Sequence, residues 1–143
     1  MIDAFIKTNR FLSNFYPCKV TYEGITYPTT EHAFQAAKTL DQSLRKTIAN
    51  LPQPSEAKKE GRNLQLRPDW EKIKVQVMRE LLLLKFSDPE LKKKLLATGK
   101  EELIEGNWWG DTFWGVCKGT GQNMLGKLLM EIRDKWIQPY SGI

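Results

Sequence analysis

From Trp70 to Phe86 the chain runs for four turns without a glycine or proline. Ile73, Val77, Leu81 and Leu84 recur at helical spacing, with charged residues between them. Such a segment predicts a long amphipathic helix, whose apolar face must be covered by other helices or a sheet. Helical signals dominate elsewhere too. Pro89 suits a first helical position, and Gly99 ends the helix it opens. A further short helix is expected around Glu101 to Glu105. The last helix is expected from about Asn123 to Trp136, with Met124, Leu125, Leu128, Leu129 and Ile132 on its apolar face. Strand signals are confined to the first 27 residues. There Val20 and Tyr22, then Ile25 and Tyr27, alternate with polar neighbours around the turn pair Glu23-Gly24, predicting a small hairpin. The expected fold is mainly α: one compact multihelical domain over residues 1–143 with a small N-terminal β-hairpin.

The 143 residues suffice for one domain with a real core. The net charge of +5 suits an anionic partner, although Lys92-Lys93-Lys94 and similar surface positions carry much of it. No charged start followed by an apolar run marks a signal peptide, and Leu81 to Leu84 is far too short an apolar run to cross a bilayer, so a cytoplasmic protein is expected. Cys18, Cys117 and the single histidine, His32, make no zinc pattern. Both cysteines read as free thiols in a reducing compartment. Pro139 to Ile143 is expected to be a loose end.

The stretch Pro28-Thr29-Thr30-Glu31-His32-Ala33-Phe34-Gln35-Ala36-Ala37-Lys38 poses the main functional question. A helix capped by Thr29 or Thr30 is expected to run to the mid-forties or beyond, until Pro52 and Pro54 end it. Ser55 then caps a short helix stopping at Gly61. At ~100° per residue, Glu31, Gln35 and Lys38 fall within about 60° of one another, opposite Ala33, Phe34, Ala37 and Leu40. A polar strip of this kind is what any surface helix shows. It is also what the floor of an active site requires. Glu31 in the first turn is favoured by the helix dipole, which explains a glutamate there without chemistry and keeps it ionised if there is chemistry. His32 points about 100° away and reads as a hydrogen-bonded, partly buried histidine.

The loop Asn107-Trp108-Trp109-Gly110-Asp111-Thr112-Phe113-Trp114-Gly115 sets three tryptophans among glycines, without periodicity. Tryptophans often cover a core. On a glycine-rich loop they suit a flat ligand such as a purine or pyrimidine, with Asp111 placed to bond a base edge. Lys118-Gly119-Thr120-Gly121-Gln122-Asn123 then leads into the last helix. Its glycines and the helix N-terminus suit an anion, while Asn123 equally suits a simple cap. Gly121 to Lys127 fits the first seven positions of a P-loop, but Leu128 stands where Ser or Thr would hold magnesium and no strand precedes it. A nucleoside triphosphatase is rejected.

Ser13-Asn14-Phe15, then Glu31-His32-x-Phe34-Gln35-Ala36-x-Lys38, then Trp109-Gly110 followed by Gly121-x-Asn123-x-Leu125-Gly126 occur in that order. Together they resemble the YbiA-like, or NADAR, family, and Gly61-Arg62 and Val77-Met78-Arg79 also fit. The resemblance covers nearly the whole chain. It implies a mostly α-helical fold and metal-independent, cofactor-free hydrolysis of an N-glycosidic bond. It implies one of two substrates: ADP-ribose attached to guanine in DNA, or ribosylamino-pyrimidine phosphates of riboflavin synthesis. Both join ribose C1 to an exocyclic amine. On this reading Lys38 attacks C1 and Glu31 moves protons or stabilises the sugar cation. Gln35 bonds the ribose. Phe15, Trp109 and Trp114 enclose the base, and Asn14 and Asp111 read its edge. Lys118, Gly119, Gly121 and Arg62 hold phosphate, with Asn123 beside them. The departure of this sequence from the family pattern in its 108–114 loop bears on substrate choice. Basic charge and the tryptophans favour ADP-ribosylated DNA, with weak nucleic-acid contact through the basic surface. Destruction of riboflavin intermediates, and a non-catalytic ADP-ribose- or nucleotide-binding module, are the alternatives.

Overall fold

In a computed structural model, residues 1–137 are described, so the expectation for Pro139 to Ile143 lies outside the described residues. The chain is mainly helical with one small antiparallel sheet, and it forms two compact units.

Residues 14–85 make one unit. Strands β1 (Pro17–Tyr22) and β2 (Ile25–Thr29) pair antiparallel, Val20 opposite Tyr27 and Tyr22 opposite Ile25, as the alternation predicts. Glu23 and Gly24 both take positive φ, +48° and +87°, the geometry a two-residue hairpin turn needs. Four helices follow: α1 (Thr30–Ala36), α2 (Gln42–Ala49), α3 (Pro54–Arg62) and α4 (Trp70–Lys85). Helix α1 is the hub. It packs on both strands and on all three other helices, and each of its seven residues is buried.

Several boundaries differ from expectation. Helix α1 ends at Ala36 rather than in the mid-forties. Lys38 lies in the turn beyond it, and Leu40 is exposed instead of joining an apolar face. Three bonds explain the break. The Asp41 carboxylate caps α2 by accepting from Ser43 N at 2.9 Å and Leu44 N at 3.1 Å, and Arg67 N donates to Lys38 O at 2.9 Å. Pro54 opens α3 instead of ending a helix, and Glu56 Oε1 accepts from Gln53 N at 2.9 Å across the first turn. The core face of α4 also differs. Trp70, Val77, Met78, Leu81, Leu82 and Lys85 are buried, whereas Leu84 is exposed.

The other unit comprises residues 1–13 and the chain from Phe86 onward. A 3-10 helix (Lys7–Leu12) is followed, after the first unit, by α5 (Pro89–Ala97), two-residue strands β3 (Gly106–Asn107) and β4 (Val116–Cys117), and α6 (Met124–Ile137). Helix α5 starts at Pro89, capped by Asp88, and α6 packs against it. Phe5, Phe11, Leu12, Leu91, Leu95, Leu103, Leu125, Leu128, Leu129 and Ile132 form its core. No helix forms over residues 101–105. That segment is extended, with Leu103 bridging in parallel to Ile2. Among the described residues no helix is long and apolar enough to cross a membrane.

Candidate active site

The strip on α1 is not a solvated face. Glu31 is 8% exposed and Gln35 5%. A carboxylate enclosed to that degree needs donors, because desolvation without them costs several kcal/mol. Gln35 Nε2 supplies one, donating to Glu31 Oε2 at 2.6 Å. The i,i+4 spacing that brings the two together is the one the sequence displays. Gln35 is in turn held by α3. A β-carbon at Gly61 would collide with Gln35 Oε1 and stand 2.7 Å from its Cδ, so only glycine lets α3 close on this amide.

Asn14 approaches from the strand side. Its backbone carbonyl accepts from Glu31 N at 3.0 Å, and its Nδ2 donates to Met78 Sδ at 3.5 Å. Asn14 Oδ1, Thr30 Oγ1 and Gln35 Oε1 are buried polar atoms with no protein partner. Such atoms are rare in folded proteins, and each calls for a partner such as an ordered water or a ligand group, although Gln35 Oε1 lies against Gly61. All three belong to residues that adjoin Glu31 in the chain or hydrogen-bond to it.

Lys38 is half-buried in the turn after α1, its N–H donating to Gln35 O at 3.2 Å and its carbonyl held by Arg67. Its ammonium lies 6.0 Å from the Phe34 ring centroid. Burial pushes its pKa below the usual lysine value. Glu31 opposes that shift, while Arg62, Lys74 and Lys58 add to it. Glu31 thus favours the charged amine, and the three cations favour the neutral one. Lys58 and Arg62 are one turn apart on α3, and the Lys58 ammonium stands 6.0 Å from the Phe15 ring, which is partly exposed. Lys74 pairs with Glu71 at 2.6 Å. Neither Lys58 nor Lys74 stands out among the surface-like lysines of the sequence. The i,i+4 pair of like charges ending at Arg62 was the available signal.

His32 is wholly buried and structural. Thr29 Oγ1 donates to its Nδ1 at 2.7 Å, Nε2 donates to Leu51 O at 2.9 Å, and burial holds the imidazole pKa below its ordinary value. A shallow, open depression of about 490 Å³ is lined by Pro17, Cys18, Lys19, Thr26, Tyr27, Pro28 and Ala49, and none of Glu31, Gln35 or Lys38 lines it. It plays no part in the arrangement around Glu31.

Trp109, Asp111, Trp114, Lys118, Gly119, Gly121 and Asn123 belong to the other unit. Asp111 organises its loop. Its Oδ1 accepts from Phe113 N at 3.1 Å and Trp114 N at 2.9 Å, and its backbone is clamped by the Asn107 side chain. Trp109 is 47% exposed and Trp114 half-buried, against Phe113. The N-terminus of α6 differs from the expected anion site. The N–H groups of Gln122, Asn123, Met124 and Leu125 donate to the carbonyls of Thr112, Gly115, Phe113 and Trp114, so these four are already spent on the loop. Asn123 is buried, with Oδ1 accepting from Glu105 N and Nδ2 donating to Leu103 O, both at 2.9 Å. Gly121 allows close backbone approach, a β-carbon there lying 2.9 Å from Val116 Cα. Lys118 and Gly119, at φ +53° and +77°, form the turn between Cys117 and Thr120.

A family model described as "NADAR domain" matches residues 4–136. The chain belongs to the NADAR domain family. Among proteins similar to it, one from Shigella boydii serotype 4, named N-glycosidase YbiA, is 43% identical over 127 residues, spanning 86% of this chain and 79% of that protein. A protein of Vibrio vulnificus named as a riboflavin biosynthesis protein is 40% identical over 129 residues, spanning 87% of this chain but 35% of its own. The NMR structure of the E. coli protein YbiA superposes with a TM-score of 0.81 at 40% identity, covering 95% of this chain and 86% of that one. The mainly helical architecture is thus that of a solved NADAR relative.

Proposed function

We propose that this NADAR protein is an N-glycosidase that cleaves the bond between ribose C1 and an exocyclic amine of a pyrimidine-like ring, in a substrate carrying phosphate. The observation that carries this reading is Glu31, buried and hydrogen-bonded by Gln35, acting on a half-buried Lys38 whose proton affinity is lowered. A buried carboxylate that interacts with a lysine whose pKa burial lowers suits acid–base and imine chemistry. The names of relatives, N-glycosidase among them, agree with it.

The reaction follows from the substrate's bonding. A ribosylamine opens as its ring oxygen leaves C1 and the exocyclic nitrogen forms an imine to C1. The neutral Lys38 amine adds to C1. A proton passes through Glu31 to the departing nitrogen, the C1–N bond to the base breaks, and C1 is held as an imine on Lys38. Water adds to that carbon, and its collapse releases the sugar and returns the amine. Arg62, Lys58 and Lys74 supply positive charge for a phosphate and add to the lowering of the Lys38 pKa that burial begins.

Two substrate readings remain, each with its own support. Relatives named for riboflavin biosynthesis favour ribosylamino-pyrimidine phosphates, small substrates for which the α3 cations suffice. The exposed tryptophans of the 108–114 loop favour ADP-ribosylated guanine in DNA. Incubation with each substrate, followed by chromatography for the free base, decides between them. Binding without release of base from either would replace the enzyme with a nucleotide-binding module.

A further inference from the structure

Met78 is 1% exposed on the core face of α4, beside the buried Val77, Leu81 and Leu82. Packing alone accounts for an apolar side chain there, and leucine would fill nearly the same volume. The sulfur does something leucine cannot. Asn14 Nδ2, in the segment before β1, donates to Met78 Sδ at 3.5 Å. A thioether accepts hydrogen bonds and has no proton to give. Only the NH2 end of the Asn14 amide can face it, because the reversed amide would set oxygen lone pairs against sulfur lone pairs. The two ends of a side-chain amide are almost equal in size, so shape alone does not choose between them.

The choice matters at Asn14 Oδ1. Asn14 is 8% exposed, and its Oδ1 is buried with no partner among the described residues. Its backbone carbonyl accepts from Glu31 N at 3.0 Å, which ties this residue to the candidate catalytic carboxylate. Gln35, the other amide beside Glu31, spends its NH2 on Glu31 Oε2, and its oxygen lies against Gly61. Asn14 therefore contributes a neutral acceptor that no protein donor satisfies, and such a group is costly until a donor reaches it. An exocyclic amine N–H and a ribose hydroxyl are both donors, and a ribosylamine carries both. We propose that Met78 is a positioning residue: its sulfur holds the Asn14 amide with Oδ1 free to accept, so that the site selects a substrate presenting an N–H or O–H donor there. The effect on turnover rests on the N-glycosidase reading; the orientation of the amide does not.

The test uses the full chain and Met78→Leu, with melting curves to show that both fold alike. Without any ligand, NMR of the parent protein should show cross-relaxation between the Asn14 Nδ2 protons and the Met78 methyl group. With a ribosylamino-pyrimidine phosphate as substrate, Met78→Leu should raise KM about three- to tenfold, the share of one neutral hydrogen bond, and leave kcat within about twofold, since that bond serves bound substrate and transition state alike. Selenomethionine in place of methionine keeps the acceptor and should keep the parent KM. Where no base is released, the glycosidase reading fails, and calorimetric affinity for the same compound takes the place of KM. Absent cross-relaxation, or KM and affinity unchanged by Met78→Leu, would overturn the inference. So would a loss of kcat and stability together, since Met78 would then serve packing only.

Discussion

Gln35 Nε2 donates to Glu31 Oε2 at 2.6 Å, with both side chains buried within α1. Removing the donor leaves an enclosed carboxylate short of a partner, a loss of about 1.5–3 kcal/mol for a bond to a charged group. Gln35→Leu should therefore lower kcat roughly 10- to 100-fold. Steady-state kinetics on the cleaved substrate measures it, and an unchanged kcat would separate Gln35 from the chemistry.

Gly61→Ala tests the support behind that bond. Alanine favours a helix by about 1 kcal/mol over glycine. Here the added carbon meets Gln35, and overpacking of this kind costs ~1–3 kcal/mol. The expected variant is no more stable than the parent in denaturant titration and is less active, because Gln35 has been displaced. A variant that gains stability and keeps full activity would show that α3 does not hold the amide.

How the rate responds to pH follows from the surroundings of Lys38. The amine must be neutral to attack, and burial, Arg62, Lys74 and Lys58 all favour the neutral form. The rate should climb with pH and level off below the ordinary lysine range. Arg62→Gln removes a cation and should shift the rising limb to higher pH. Glu31→Gln removes the opposing carboxylate and should shift it lower, while cutting the rate about a hundredfold or more. Shifts in the same direction in both variants would contradict this assignment.

Lys85 gives a stability prediction in a different part of the fold. It is 0% exposed, its Nζ lies 5.9 Å from the Tyr16 ring, and burial lowers its pKa to about 7, with Cys18 opposing the shift. Below about pH 7 both folded and unfolded chains hold the proton, and the burial penalty is felt in full. Between there and the unfolded value near 10.5 the unfolded chain binds more protons, so stability rises with pH, by an amount on the order of a few kcal/mol. Lys85→Met should flatten that rise when denaturant midpoints are compared at mildly acid and alkaline pH. An equal slope in both proteins would assign the pH response to other groups.

Local signals made much of the fold legible. The Glu23-Gly24 turn and the Pro89 and Gly99 boundaries each depend on neighbours in sequence, and each element forms as expected. The misread elements depend on distant partners. Residues 101–105 are extended because Leu103 bridges to Ile2, and α1 stops early because Arg67 holds the carbonyl of Lys38. The burial of Glu31 is illegible in the sequence for the same reason, since α1 is covered by α2, α3, α4 and the hairpin. The spacing of Glu31 and Gln35 was legible, because it lies within one helix. The Asn123 amide read equally as a cap or a ligand, and only its bonds to Glu105 and Leu103 give it a structural role.

The central claim is that Lys38 carries the sugar, and reductive trapping tests it most directly. Borohydride added during turnover should fix the sugar on Lys38, with inactivation and the corresponding mass increase on the peptide containing that residue. Lys38→Met should show neither turnover nor adduct. Full activity in the presence of borohydride with no adduct, or an adduct on another lysine, would contradict the account.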